Sequence, residues 1–266
     1  MTDTLTGRLL VSEALVVPSG LSADGTTIEP AEVRRVPGFV ESAFSPLVKA
    51  AVDSCLAPVT GGAALGDEGA RTGLVLATLF GDTATADLGS RLLASGRVAN
   101  PLLFYQSVPT TILGVVARDY GITGPTTCVA LRGDLRGEAL DLVDTLLDDG
   151  MDQVLLLGVG LAAEARPARA GARLADDGGP RAAAAAADAA VAFLVRRAGS
   201  WPQAAEAAVL PDADEHVPAF GSLAGLVQLY LAVRAERAAA AARAIAVDVG
   251  EALGGRRLHL LPEEPR

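Results

Sequence analysis

Between Asn100 and Gly158 the apolar residues change spacing from helical to extended and back again, and that alternation limits what the chain can become. Val108-Pro-Thr-Thr-Ile-Leu-Gly-Val-Val-Ala-Arg-Asp-Tyr-Gly reads as a helix and Thr123-Gly-Pro-Thr-Thr-Cys-Val-Ala-Leu-Arg as a strand. Gly133-Asp-Leu-Arg-Gly is a tight turn, Glu138 to Asp149 a second helix, and Asp152-Gln-Val-Leu-Leu-Leu-Gly-Val-Gly a second strand. Upstream, Thr72-Gly-Leu-Val-Leu-Ala-Thr-Leu-Phe-Gly is apolar at nearly every position over the length of a strand. Such a run suits a strand covered by helices on both faces. Strands of this kind alternating with helices predict α/β layers around a largely parallel sheet.

The remaining segments extend the pattern. Arg8 to Pro18 reads as a strand. Ser45-Pro46 then predicts a capping hydroxyl followed by a proline in the first helical turn. In that helix Leu47, Ala51, Val52, Cys55 and Leu56 share one face, so Cys55 is expected in the core. A glycine-rich connection, residues 61–69, leads to the apolar run, and Thr83 to Ala94 follows as a helix whose apolar residues are Leu88, Leu92 and Leu93. Residues 163–181 lack periodicity and predict a mobile surface loop. Asp188 to Arg196 reads as a strand, Leu223, Leu226, Val227, Tyr230 and Leu231 fall at helical spacing, and residues 244–250 and 257–262 read as final strands.

Half of the 266 residues are apolar, enough for a sizeable core. No apolar run reaches the roughly 18 residues needed to span a membrane, and the N-terminus shows no secretion signal, so a soluble cytoplasmic protein is expected. Cys55 and Cys128 are the two cysteines, and without Cys/His clusters neither a disulfide framework nor a metal site is expected, nor is any cofactor. Thirty-two acidic against twenty-two basic residues give a net charge of -10. That balance disfavours nucleic acid, whose phosphates demand a basic footprint.

In order and spacing, the segments resemble a β-ketoacyl synthase of the thiolase superfamily. Arg71 to Gly81 resembles the early strand and glycine turn, and Val108-Pro-Thr-Thr-Ile with Tyr120-Gly-Ile-Thr-Gly-Pro125 resembles the segment running through the dimer interface into the nucleophile strand. Met151 to Gly160 resembles the strand after the nucleophile helix, and Asp188 to Arg196 the end of the first half. The interval from Gly124-Pro125 to Gly150 matches that of active ketosynthases, and in this register Gly133 stands where the family carries its nucleophilic cysteine. The family's chemistry needs a thiolate at a helix N-terminus, where the dipole and free amides lower the thiol pKa and stabilise the oxyanion. Glycine supplies no such group. His216 or Ala219 falls at one of the family's histidine positions, His259 lies in the last strand, and the other histidine and the lysine have no counterpart.

The resemblance implies a thiolase-like layered αβαβα fold in a single domain over residues 1–266. Its first half, residues 1–197, is nearly complete, and its second, 198–266, is shortened. It further implies a non-catalytic subunit similar to the chain length factors of type II polyketide and polyene systems, heterodimerising with an active β-ketoacyl synthase. An acyl carrier protein would engage transiently, mainly through that partner. The implied dimer strand is Thr126, Thr127, Cys128, Val129, Ala130 and Leu131. Phe104, Tyr105, Gln106, Val108 and Thr110 are the implied acyl-tunnel and interface residues. Two alternatives stay open at this point. One is a malonyl-carrier-protein decarboxylase or acyltransferase working through Asp134, Cys128 or His216, and the other a scaffold that only stabilises the ketosynthase.

Overall fold

The computed structural model describes residues 8–23, 26–97, 100–130, 135–162, 168–170, 172–173, 185–197, 207–209, 218–239, 245–248 and 257–260. In chain order the elements are β1 (Arg8–Val16), β2 (Leu21–Ala23), β3 (Thr26–Ile28), α1 (Phe44–Thr60), β4 (Thr72–Thr78), α2 (Thr83–Ala94), α3 (Pro101–Ser107) and α4 (Thr110–Tyr120). They continue with β5 (Thr126–Ala130), α5 (Leu135–Asp148), β6 (Gln153–Gly160), β7 (Ala189–Arg197), β8 (Ala207–Val209), α6 (Ala224–Ala239), β9 (Ile245–Asp248) and β10 (Arg257–Leu260). Short 3-10 turns at Gly66–Arg71 and Pro218–Leu223 lead into β4 and α6. Among the described residues no helix is long and apolar enough to cross a membrane, and no His, Cys, Asp and Glu cluster could hold a metal ion.

Eight strands form one sheet in the order β5-β4-β6-β7-β1-β10-β9-β8, and β2 and β3 make a separate hairpin. The parallel expectation needs correction. β4 runs parallel to β5 and β6, but β7 is antiparallel to both β6 and β1, and β9 to β10. A buried apolar strand looks the same in sequence whichever way its neighbour points.

Period-two alternation divides the core between the two faces of this sheet. Leu74, Leu76, Leu155, Leu157 and Leu194 pack with α1 and α4, while Val75, Ala77, Leu156, Val191 and Phe193 pack with α5 and α6. In β1 the register slips between Leu10 and Ser12. This bulge turns Leu10 toward the α5–α6 side and Ala14 and Val16 toward α1. On α1 the expected face is fully buried, with Cys55 at its centre. Its cap differs from expectation, because Ser45 lies inside the helix and its amide donates to the Ser42 hydroxyl at 2.9 Å.

Two glycines set how β5 meets β4. A Cβ at Gly69 would lie 2.0 Å from the Gly121 carbonyl oxygen, and one at Gly124 would lie 2.3 Å from that of Thr72. No side chain fits either place, which gives a steric reason for glycine before Pro125. Of residues 163–181, expected as a loop, 168–170 and 172–173 are described, and these are helical.

Candidate functional site

Three features stand out: an open strand edge at β5, an exposed apolar face on α2 and α3, and a buried polar network beneath that face. β5 pairs with β4 on one side and with no described strand on the other. The Leu74 amide donates to the Pro125 carbonyl at 2.8 Å, and Leu74 lies in register with Thr126. In a parallel ladder the odd residues of β5 therefore turn their backbone groups toward β4, and Thr126, Cys128 and Ala130 present theirs at the open edge. The β5 side chains are exposed or half-buried along the whole strand, whereas every residue of β4 is buried. An uncharged edge of this kind is an association hazard unless something covers it.

The large apolar side chains that stand exposed among the described residues are Val40 (70%), Leu93 (69%), Leu102 (54%), Phe104 (78%) and Tyr105 (47%). They belong to one neighbourhood. Phe39 and Tyr105 are in ring contact at 5.6 Å, and α2 packs on α3 where Gly89 approaches Leu103. Thr83–Ala94 is helical as expected, but its leucines are not core: Leu88 and Leu92 are half-buried and Leu93 faces outward. Burying a large apolar side chain is worth roughly 1.5–3 kcal/mol, so a face that leaves five of them in water forgoes a substantial gain unless it is covered.

Looseness does not explain that exposure. Beneath the face the Ser42 hydroxyl donates to Asp82 Oδ2 at 2.5 Å, and the Thr85 amide donates to Asp82 Oδ1 at 3.1 Å, capping α2. The Thr85 hydroxyl donates to Asp82 Oδ2 at 2.8 Å. Gln106 Oε1 accepts from the Glu41 amide at 2.9 Å. Ser42, Asp82, Thr85 and Gln106 are all buried. The network ties the 39–42 segment, α2 and α3 into one unit, and buried polar groups satisfied in this way fix a single arrangement.

The expected tunnel residues consequently divide. Phe104, Tyr105 and Thr110 are exposed and Val108 is half-buried, but Gln106 points inward and serves as an anchor. Residues 126–130 are brought together as one edge strand. Leu131, Gly133, Asp134 and His216 lie outside the described residues. His259 sits on β10, in register with Leu9 on one side and Ala246 on the other, within the sheet. Burial pushes the Cys128 thiol above its ordinary value, opposite to what a nucleophile needs. Sequence reasoning missed Val40, Leu93 and the Asp82 network, because exposure of an apolar residue and burial of an aspartate are decided by neighbours distant in sequence.

The fold is similar to that of solved ketosynthase structures. No protein-family profile and no curated protein matches the sequence. Among solved structures, the chain is similar to a ketosynthase (ApeO) in complex with its chain length factor (ApeC) from Xenorhabdus doucetiae. There the TM-score is 0.58 at 15% identity, over 85% of this chain and 92% of that one. The ishigamide ketosynthase/chain length factor gives 0.54 at 19% identity, over 75% of this chain and 63% of that one. AntDE:AntF, a type II acyl-carrier protein in complex with its ketosynthase bound to the hexaketide, gives 0.51 at 12% identity over 72% and 63%. The chain therefore spans most of the first neighbour's length and under two thirds of the other two.

Proposed function

We propose that this chain is a non-catalytic, chain-length-factor-like subunit that heterodimerises with an active type II β-ketoacyl synthase and helps shape the tunnel holding the partner's acyl or polyene chain. The observation that carries the proposal is the open β5 edge, uncharged and half-exposed; the exposed apolar α2–α3 face adds to it. The structural neighbours supply the kind of partner, since two of them are ketosynthases with their chain length factors. In this reading residues 1–266 act as one unit, its first half to residue 197 and a shortened second half from 198. The chain works in the cytoplasm, and an acyl carrier protein reaches the complex mainly through the ketosynthase. With Gly133 in the cysteine's place, the chain itself forms no acyl-enzyme.

Co-expression with a ketosynthase from the same gene cluster, followed by size exclusion, tests the pairing. A single co-eluting peak is expected, and two separate peaks would overturn it. Mass spectrometry of the complex after incubation with acylated carrier protein is expected to show the adduct on the partner alone.

A further inference from the structure

A concavity of about 460 Å³ lies between residues 32–37, α1 and α4 and uses none of the residues assigned to the proposed interface. That volume falls in the range of small-molecule pockets, roughly 300–1,000 Å³. Its floor is electrically closed. Lys49 reaches Asp53 at 2.5 Å and Asp119 at 3.5 Å, Arg118 donates to Asp119 at 3.0 and 2.8 Å, and the Tyr120 hydroxyl donates to Asp53 at 2.7 Å. Burial alone would raise the Asp119 carboxyl. The Arg118 hydrogen bond and the neighbouring charge of Lys49 outweigh it and hold that carboxyl below the usual range. Two cations and two carboxylates thus cancel.

Above this floor stand Arg34 and Arg35, both exposed and, among the described residues, without a hydrogen bond or ion pair. Their backbone is pinned on either side. Val33 packs against the α1–α4 core, Val36 is buried in it, and the Phe39 amide closes a turn onto the Val36 carbonyl at 3.0 Å. Two uncommitted guanidinium forks are therefore held over a preformed cleft whose remaining wall includes the apolar Val36, Pro37 and Val115 and one further carboxylate, the exposed Glu32, so the lining keeps a net positive charge. The planar guanidinium fork donates two parallel hydrogen bonds to a pair of phosphate oxygens, and an apolar wall beside it suits an organic remainder.

We propose that this cleft binds a small phosphate-bearing molecule, with the phosphate held by Arg34 and Arg35. Titration calorimetry of the full chain with pyrophosphate at constant ionic strength tests the assignment. One saturable site is expected, weakened about tenfold or more in the R34A/R35A variant. It should be weakened in R34K/R35K as well, because lysine keeps the charge and loses the fork. Both arginines are exposed, so the variants are expected to match the parent in circular dichroism and melting, and R91A on α2 should bind as the parent does. Absence of a saturable site, unchanged affinity in R34A/R35A, or equal binding of sulfate would overturn the proposal. None of these outcomes depends on the ketosynthase pairing, so the two proposals stand or fall separately.

Discussion

Phe104 and Cys55 are the two residues at which single-atom environments make the sharpest statements. Among the described residues Phe104 is the most exposed large apolar side chain and has no ring partner, whereas Tyr105 leans on Phe39. If the exposed face lines the partner's tunnel, Phe104→Ala enlarges the space available to the chain at no cost to folding. The complex should then still form, and mass spectrometry of its products should show longer chains; unchanged products would reduce the chain to a scaffold. Cys55 reports on the opposite condition. Burial pushes its thiol up to about 12, outweighing the opposing hydrogen bond from Ser12. The folded chain therefore holds this proton more tightly than the unfolded one. The resulting stabilisation is complete below about pH 9 and is lost as the pH rises toward 12, on the order of 4 kcal/mol. Urea titrations across that window should show the slope in the parent and a clearly shallower one in Cys55→Ala, the remainder coming from Cys128, Tyr120 and Tyr230, which burial also raises. At this scale the sequence was legible where a residue's fate follows from its own helix face, as for Cys55, and illegible where it follows from distant contacts. Ser45 lies inside α1 with its amide donating to Ser42, and Gln106 is buried against the Glu41 amide, because each is decided by a partner outside its own helix face.

The elements were more legible than the residues. β1, β4, β6, β7 and the helices over residues 83–94 and 224–239 fall where periodicity put them, since apolar spacing is a property of one segment alone. Strand direction is a property of two, and the antiparallel pairings of β7 and β9 were not to be read from either partner. The strand edge is where an element-level test is cleanest. Because the Cys128 amide points away from β4, Cys128→Pro removes an edge donor without breaking the β4–β5 ladder. Val129→Pro removes a donor that β4 uses. The first substitution should leave melting nearly unchanged and abolish co-elution with the ketosynthase; the second should lower stability itself. If Cys128→Pro still co-elutes, the partner does not pair along this edge. An independent readout is alkylation of Cys128, which should slow in the complex as the partner covers the strand.

At the scale of the molecule, the question is what holds the C-terminal part onto the first half of the sheet. One answer lies at the β1 bulge. Arg237, near the end of α6, donates to the Leu10 and Val11 carbonyls at 3.2 and 3.4 Å and reaches Glu13 at 3.2 Å. The Arg237 and Glu13 side chains are only 8% and 4% exposed. Arg234 stands 3.9 Å from the same carboxylate but is largely in solvent. The bulge makes this possible, because the irregular register frees carbonyls that a regular ladder would occupy. Arg237→Met keeps the apolar stem and deletes the charge that stands 3.2 Å from the buried Glu13 carboxylate. Removing one member of a buried pair costs about 3–5 kcal/mol, far more than the pair itself contributes over apolar neighbours of similar size. Urea denaturation should therefore show Arg237→Met strongly destabilised and the double variant Glu13→Leu/Arg237→Met substantially recovered. Additive losses would mean that β1 and α6 are joined by packing alone, and that the buried charges are incidental to how the two elements stay together.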